Sequence, residues 1–534
     1  MSRRILFDDD ARRAIGRGVD QLARAVRVTL GPRGRTVLVE RLHGPSSITN
    51  DGAAVASEVV LADRFENLGV RLVREAAFRT AAQVGDGTST ATVIAHLVVT
   101  RGLAAIAQGA APMALKRGID RAVLAACAGL REQAQPLASA EERTAVAAIA
   151  AGGDAMLGAI VAEALARAGP AGEVAIELGP ALETRWTFSA GVSFERGYLS
   201  PYFITAPEAM RAELSDARVL LSVRALTEAA DVVAALETVR AEGRPLLVIA
   251  EDITGEALTT LVVNQLQNVA RAAAVQTPGG SAAERRAWLE DLAALTGAAV
   301  CGDDAGLAAA RITPRELGTC LRAVIEGDRT TVVATAERAA SARVLAERRR
   351  SQAAQADTAP ERERLAKSAA RLAGGVSLIA VGGASDSARS EARGRLEDAL
   401  SALRAATDEG VVPGGGVALV RARAAIDALV LEGDARLGAH LVADALLEPA
   451  RWIAHNAGAD GDTTVAQVRA GSGATGYDAS TGRIADLVRA GILDPARVVR
   501  VALENAAAVA GLLLTTETLV VDDDEPGHGT GEMA

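Results

Sequence analysis

Lysine is nearly missing from this chain: only Lys116 and Lys367 occur among its 57 basic residues, and the rest are arginine. A Walker A loop is therefore excluded, since its Gly-Lys-Ser/Thr lysine must reach the β and γ phosphates. Lys116 is followed by Arg117, and Lys367 is preceded by Ala366. Cysteine is scarce too. Cys127, Cys301 and Cys320 form no CxxC pair and no even framework, so a reducing compartment is expected. Positive charge is short: 57 basic against 67 acidic residues leave a net charge of −10, and no nucleic-acid partner is expected. Unbroken apolar runs are short as well. Ala506 to Leu514 is bounded by Glu504 and Glu517, well under the roughly 18 residues of a spanning helix, so no membrane partner is expected. The opening Met1 to Arg13 meets Asp8, Asp9 and Asp10 too soon to be a signal peptide. A soluble, cytoplasmic protein is the expectation.

What is present is a chain of 534 residues, 49% hydrophobic and 23% charged, enough for about three or four domains with real cores. The first 130 or so residues space apolar positions by three and four, as helices do, with one strand-like break at Thr36 to Glu40. Ala- and Glu-rich helices follow, giving way to strand-like runs at Glu173 to Glu177 and Trp186 to Ser189. Arg244 to Ala250 is a continuous apolar run, then a helix from Gly255 and a second run, Ala272 to Gln276. That rhythm predicts a βαβ module. A charged helical segment, Ala336 to Arg371, closes it, and Val376 to Val381 reads as one more strand before helices resume. An economical topology joins the two helical ends as one domain with the α/β centre inserted.

Several loops have phosphate chemistry. Gly471-Ser-Gly473-Ala-Thr-Gly476 spells the dinucleotide pattern, but no helix follows it, so that reading is set aside. Gly85-Asp86-Gly87-Thr88-Ser89-Thr90 runs straight into a helix-like stretch. Glycines admit an anion, a helix start offers free N–H groups, and Asp86 has the oxygens for Mg²⁺. An ordinary capped helix is the competing reading. Gly414, Gly415 and Gly416 mark close approach of a backbone or a ligand. Asp398, in a helical run, has the chemistry to orient a hydrolytic water if it is aimed into such a site. The histidines, His43, His96, His440, His455 and His528, have no metal spacing.

Six of the 12 aromatic residues, Trp186, Phe188, Phe194, Tyr198, Tyr202 and Phe203, fall within eighteen residues. On the helix after Gly255, the residues Leu258, Leu261, Val262, Val263, Leu266 and Val269 spread over about 200° at about 100° per residue, wider than one-sided packing needs. Such a helix is either deeply buried or keeps an apolar face for another molecule.

Thr29-Leu-Gly-Pro-Arg-Gly34, Ile48-Thr-Asn-Asp-Gly52, Gly85 to Thr92, Leu115-Lys-Arg-Gly-Ile-Asp120, Arg196 to Phe203, Glu397-Asp-Ala-Leu400, Gly410 to Leu419 and Gly491-Ile-Leu-Asp-Pro495 together resemble the group I chaperonins, the bacterial GroEL type. The resemblance runs in order along essentially the whole chain except its tail. It implies a multi-domain α+β fold: a mainly helical equatorial domain (1–133 and 409–521), a small intermediate hinge domain (134–190 and 375–408), an α/β apical domain (191–374), and an acidic tail (522–534). It implies a chaperonin ATPase in a heptameric ring or double ring that binds non-native polypeptides under a co-chaperonin lid of the GroES type. Thr29, Leu30, Gly31, Pro32, Asn50, Asp86, Gly87, Thr88, Ser89 and Thr90 would contact the phosphates of ATP, with Asp86 on Mg²⁺ and K⁺ nearby. Gly415, Asp478, Ala479, Ser480 and Asp494 would hold the nucleoside. Asp398 would activate the attacking water, with Asp51 beside it. Tyr198, Tyr202, Phe203, Val233, Leu236, Leu258, Val262 and Val263 would meet substrate protein and the co-chaperonin. Gly191, Gly374, Gly375 and Gly410 would be hinges, and Arg196 with Asp386 a latch. The departures are Asn50 where the family has lysine, Asp478 where it has asparagine, Pro278 to Glu284 without an aromatic, and no Gly-Gly-Met tail. A divergent paralogue that holds proteins with little or no ATPase is the alternative.

Overall fold

The computed structural model describes residues 3–40, 47–169, 172–207, 210–302 and 308–522. The tail beyond 522, His43 and His528 lie outside them. The chain forms two compact units, Met1–Ala162 with Gly394–Ala534, and Glu163–Arg393.

The first unit is helical because its apolar residues recur at helical spacing. Ala11, Ile15, Val19, Leu22 and Val26 share one face of Asp8–Val26, and all are buried. Asp8, Asp9 and Asp10 occupy the first turn, where the helix dipole favours negative charge. The ends of the chain are joined here: Arg3–Phe7 pairs antiparallel with Thr518–Asp522. The helix Thr88–Ala107 packs against Asp8–Val26, Arg64–Val84 and Ala496–Leu514. By length and composition it is apolar enough to cross a membrane, which corrects the expectation that no segment is. His96 and Arg101 interrupt its apolar run without much lowering its mean hydropathy, so a search for unbroken runs passes over it. In the fold, Val93, Ile94, Val98 and Val99 are enclosed by neighbouring helices.

The second unit carries a nine-stranded sheet. Its spatial order is Glu173–Leu178, Gly375–Val381, Arg185–Phe194, Thr330–Val333, Gly318–Ile325, Ala212–Ser222, Leu246–Ala250 and Ala272–Gln276, with Val300–Cys301 beside Ala212–Ser222. Ala212–Ser222, Leu246–Ala250 and Ala272–Gln276 run parallel, crossed by the helices Ala230–Glu242 and Gly255–Leu266. Every residue of Leu246–Ala250 is buried, as a strand covered on both faces requires.

Two expectations change. The charged stretch from Ala336 is two helices, Ala336–Gln355 and Ala359–Ala373, packed together. Thr358 caps the second, and Pro360 sits in its first turn, where a missing N–H costs nothing. Gly191 and Gly375 are closely packed within the sheet: a Cβ on Gly375 would lie 2.2 Å from the Phe188 ring, and one on Gly191 2.5 Å from the Val332 carbonyl oxygen. Second, Arg196 and Asp386, expected as a closed-state latch, are not paired in this structure. The Arg196 guanidinium donates to the Glu195 carbonyl (3.1 Å), while Asp386 pairs with Arg389 one turn along its own helix.

Candidate functional site

In the first unit, the helix Asp8–Val26 tightens into a short turn, Arg27–Thr29. The Thr29 hydroxyl donates to the Val26 carbonyl (2.8 Å) and shares a hydrogen bond with Ser89 (3.1 Å). Asn456 Nδ2 donates to the carbonyls of Arg27 and Leu30, both at 2.9 Å, and Arg33 donates to the Ser480 carbonyl at 2.9 Å. Thr29 is thus buried, while Gly31 and Pro32 stay exposed on a turn fastened at both ends.

Arg64–Val84 ends at Gly85 in left-handed conformation, and Gly87, also left-handed (φ 84°), begins Thr88–Ala107 with no side-chain cap. The competing reading of an ordinary capped helix therefore fails. Asp86 accepts from the adjacent Gly87 N–H (2.5 Å) rather than from the helix's first turn. The first-turn N–H groups of Thr88, Ser89 and Thr90 have no partner within the helix, an arrangement that suits an anion. A second helix start converges here. Asp51 caps Gly52–Glu58 through the N–H groups of Ala53 and Ala54 (3.0 Å each). A Cβ on Gly52 would stand 2.1 Å from Ser89 Oγ, so the two turns pack closely at this glycine. Asn50 precedes this cap and is exposed.

The acids come from distant segments. A Cβ on Gly85 would lie 2.2 Å from Ser401 Cβ, which places the helix Asp386–Glu409, at the turn carrying Asp398, against the glycine loop. Burial first, then the charges of Asp86, Asp51 and Glu397, push Asp398 up to about 8. Asp494 lies on the strand Leu493–Pro495, opposite Val412, and burial together with Asp86 pushes it up to about 7. Asp86 itself is raised, chiefly by burial, against the pull of the Gly87 N–H. No basic group figures among the charges acting on these three. Among the described residues no three Asp, Glu, His or Cys side chains come close enough to hold a metal by themselves. The donor set therefore suits Mg²⁺, which takes one or two carboxylates and completes its octahedron with water and phosphate oxygens.

Of the remaining predicted residues, Asp478, Ala479 and Ser480 lie on the hairpin of Thr475–Asp478 and Arg483–Asp486, and Gly415 packs against it. Gly415 (φ 64°) approaches Leu487 and the Tyr477 carbonyl. Asp478 is buried and accepts from the backbone and hydroxyls of Ser480 and Thr481. Burial opposes its ionisation, but these donors outweigh burial and hold it below the usual carboxylate range. Ala479 is buried and Ser480 exposed. The signal missed in the sequence is Asn456. Its type is ordinary for a helix end, and only the fold shows what it holds.

In the second unit the predicted apolar surface divides. Tyr202 is 62% exposed on the short turn Pro201–Phe203, whereas Phe203 is 0% exposed and Leu236 5%, so neither belongs to an open face. Tyr198, Leu258 and Val262 are half-buried against the core. Val233 and Val263 are exposed, joined by Leu266 at 61% and Val269. The wide apolar arc of Gly255–Leu266 is divided: Ala257 and Leu261 enter the core, and its C-terminal end is exposed.

Residues 22–524 match the TCP-1/cpn60 chaperonin family. The solved chaperonin gp146 from the bacteriophage EL 2 (Pseudomonas aeruginosa), crystallised in presence of ATP-BeFx, has the same fold. Its TM-score is 0.69 over 97% of this chain and 99% of that one, at 21% identity.

Proposed function

We propose, from the premise that the chain belongs to the TCP-1/cpn60 chaperonin family, that it is an ATP-hydrolysing chaperone that captures non-native polypeptides on an apolar surface and releases them through nucleotide-driven domain movement. The observation that carries this reading is the uncapped helix start at Gly87–Thr90, set beside raised carboxylates that lack a cation. The N–H groups and hydroxyls of Thr88, Ser89 and Thr90 would bind phosphate oxygens, and Thr29 to Pro32 would close over them. Asp86 would hold Mg²⁺, which supplies charge neutralisation at the phosphates. Asp398, with Asp51 beside it, would position the attacking water and take its proton. Asn50 leaves a K⁺ site to backbone carbonyls. Gly415, Asp494 and the Asp478–Ser480 turn would face the nucleoside, with Asp478 serving mainly to shape that turn. The solved relative with an ATP analogue supports nucleotide binding.

Val233, Val263 and Leu266, with Tyr202, supply the capture surface, since apolar burial is non-directional and tolerates any sequence. The division into equatorial, intermediate and apical domains, with rotation near Gly374 and Gly410, belongs to this proposal. So do the group I type, the heptameric rings and the GroES-type lid. Assembly is supported by two small sheets with outward apolar residues, Leu38 and Ile48 on one, Ile5, Phe7 and Val520 on the other. Two-stranded sheets are marginal alone, and their edges invite further pairing.

Steady-state ATP hydrolysis by the wild type and by Asp398→Ala tests the reading. A clear rate that the substitution abolishes is expected. Equally negligible rates would instead favour a chaperonin that binds and holds without turnover. Light scattering with and without ATP adds the assembly test: a lone 54.6 kDa particle in both conditions would leave no chamber.

A further inference from the structure

The second unit contains a cavity of about 310 Å³ that no part of the proposed chemistry uses. It lies at the carboxyl ends of the parallel strands Ala212–Ser222, Leu246–Ala250 and Ala272–Gln276, where open α/β sheets place ligands. One wall comes from the segment leaving the last strand: Thr277, whose N–H donates to the Ala250 carbonyl (2.7 Å), and the start of the helix Ala282–Thr296. Ala282 and Ala283, the first two residues of that 15-residue helix, line the cavity. Ser281 and Glu284 close a reciprocal cap, occupying the N–H groups of Gly280, Ser281 and Glu284. The N–H groups of Ala282 and Ala283 have no partner within the helix. The second, independent observation is Thr277. It is 2% exposed, lines the same cavity, and its hydroxyl has no hydrogen-bond partner among the described residues. A buried hydroxyl left unsatisfied costs free energy that a ligand or bound water would recover.

Charge selects the ligand. Arg285 and Arg286 both border the cavity. Glu251 neutralises Arg285 (2.6 Å), while Arg286 has only a loose contact with Glu290 (3.8 Å). We propose that this cavity binds a phosphate group, held by the Ala282 and Ala283 N–H groups, the Arg286 guanidinium and the Thr277 hydroxyl. The phosphate is either free or carried by a phosphorylated side chain of a bound polypeptide. The site is separate from the acid cluster and does not depend on nucleotide turnover.

Equilibrium dialysis of radiolabelled inorganic phosphate against the full-length protein, with ADP saturating the other unit, reads it. The wild type binds about one phosphate per chain at about 1 mM or tighter. Thr277→Val weakens binding about fivefold and Arg286→Gln about tenfold, while Thr277→Ser, which restores the hydroxyl, stays within about twofold. A phosphoserine peptide that displaces phosphate, where its unphosphorylated form does not, assigns the site to a protein-borne group. Displacement by neither assigns it to the free ion. No phosphate binding by the wild type up to about 10 mM, or wild-type binding by both Thr277→Val and Arg286→Gln with melting curves unchanged, overturns the proposal.

Discussion

Thr29 and Ser89, 60 residues apart in sequence, share one hydrogen bond of 3.1 Å between their hydroxyls. Because Thr29 is buried and also bonded to Val26, this contact locks the turn after one helix onto the first turn of another. The proposed anion cradle would thereby be preformed rather than assembled by its ligand, which lowers the ordering cost of binding.

Thr29→Val and Ser89→Ala each remove that bond with little change of volume. Each should raise the KM for ATP about fivefold. The double variant should be no worse than about tenfold, because both lose the same interaction of about 1 kcal/mol. Fully additive effects in ATPase titrations would mean that the two hydroxyls act separately.

Asp398→Ala should lower kcat by about 100-fold or more, the usual contribution of a positioned acid or base. ATP affinity should hold, since Asp398 is proposed to act on the attacking water and not on the nucleotide. Rapid-quench kinetics separates the two effects. Loss of affinity with kcat intact would place Asp398 in binding instead.

Asp398 at about 8 and Asp494 at about 7 both exceed the ordinary carboxylate value of about 4. The folded state therefore binds more protons than the unfolded one between about pH 4 and 8, and stability must fall as pH rises through that window. Nucleotide- and Mg²⁺-free protein should lose on the order of a few degrees in Tm between pH 5 and 8, and Asp398→Asn should flatten the slope. Binding of Mg-nucleotide at pH 7 should release protons, measurable by calorimetry in buffers of different ionisation enthalpy. Proton uptake would contradict the sign.

On the proposed capture surface, Val263→Ser with Leu266→Ser should abolish capture of denatured protein and leave Tm within about 2 °C, since both side chains are exposed. Phe203→Ala and Leu261→Ala, both fully buried, should each cost about 2–5 kcal/mol. Capture unaffected by the serine pair would move the binding face elsewhere.

Much of the site is legible in residue order. The glycines and hydroxyls of 85–90 and the Gly-Pro turn at 31–32 declare an anion cradle because backbone conformation and donor chemistry are local properties. The buried strand Leu246–Ala250 is equally plain, since five apolar residues in a row suit a strand covered on both faces. The break between Gln355 and Ala359 was readable from Thr358 and Pro360, yet continuous charge alternation conceals it.

By itself, then, the order of amino acids settled much of the alternation of helix and strand and the family to which the chain belongs. Only the tertiary structure decided that Tyr202 faces water while its neighbour Phe203 is enclosed, that Asn456 braces a turn more than 400 residues away, and that Asp86 raises the proton affinity of both Asp398 and Asp494. Burial and Coulomb repulsion depend on distance through space, and no periodicity along a chain encodes which distant segments will meet.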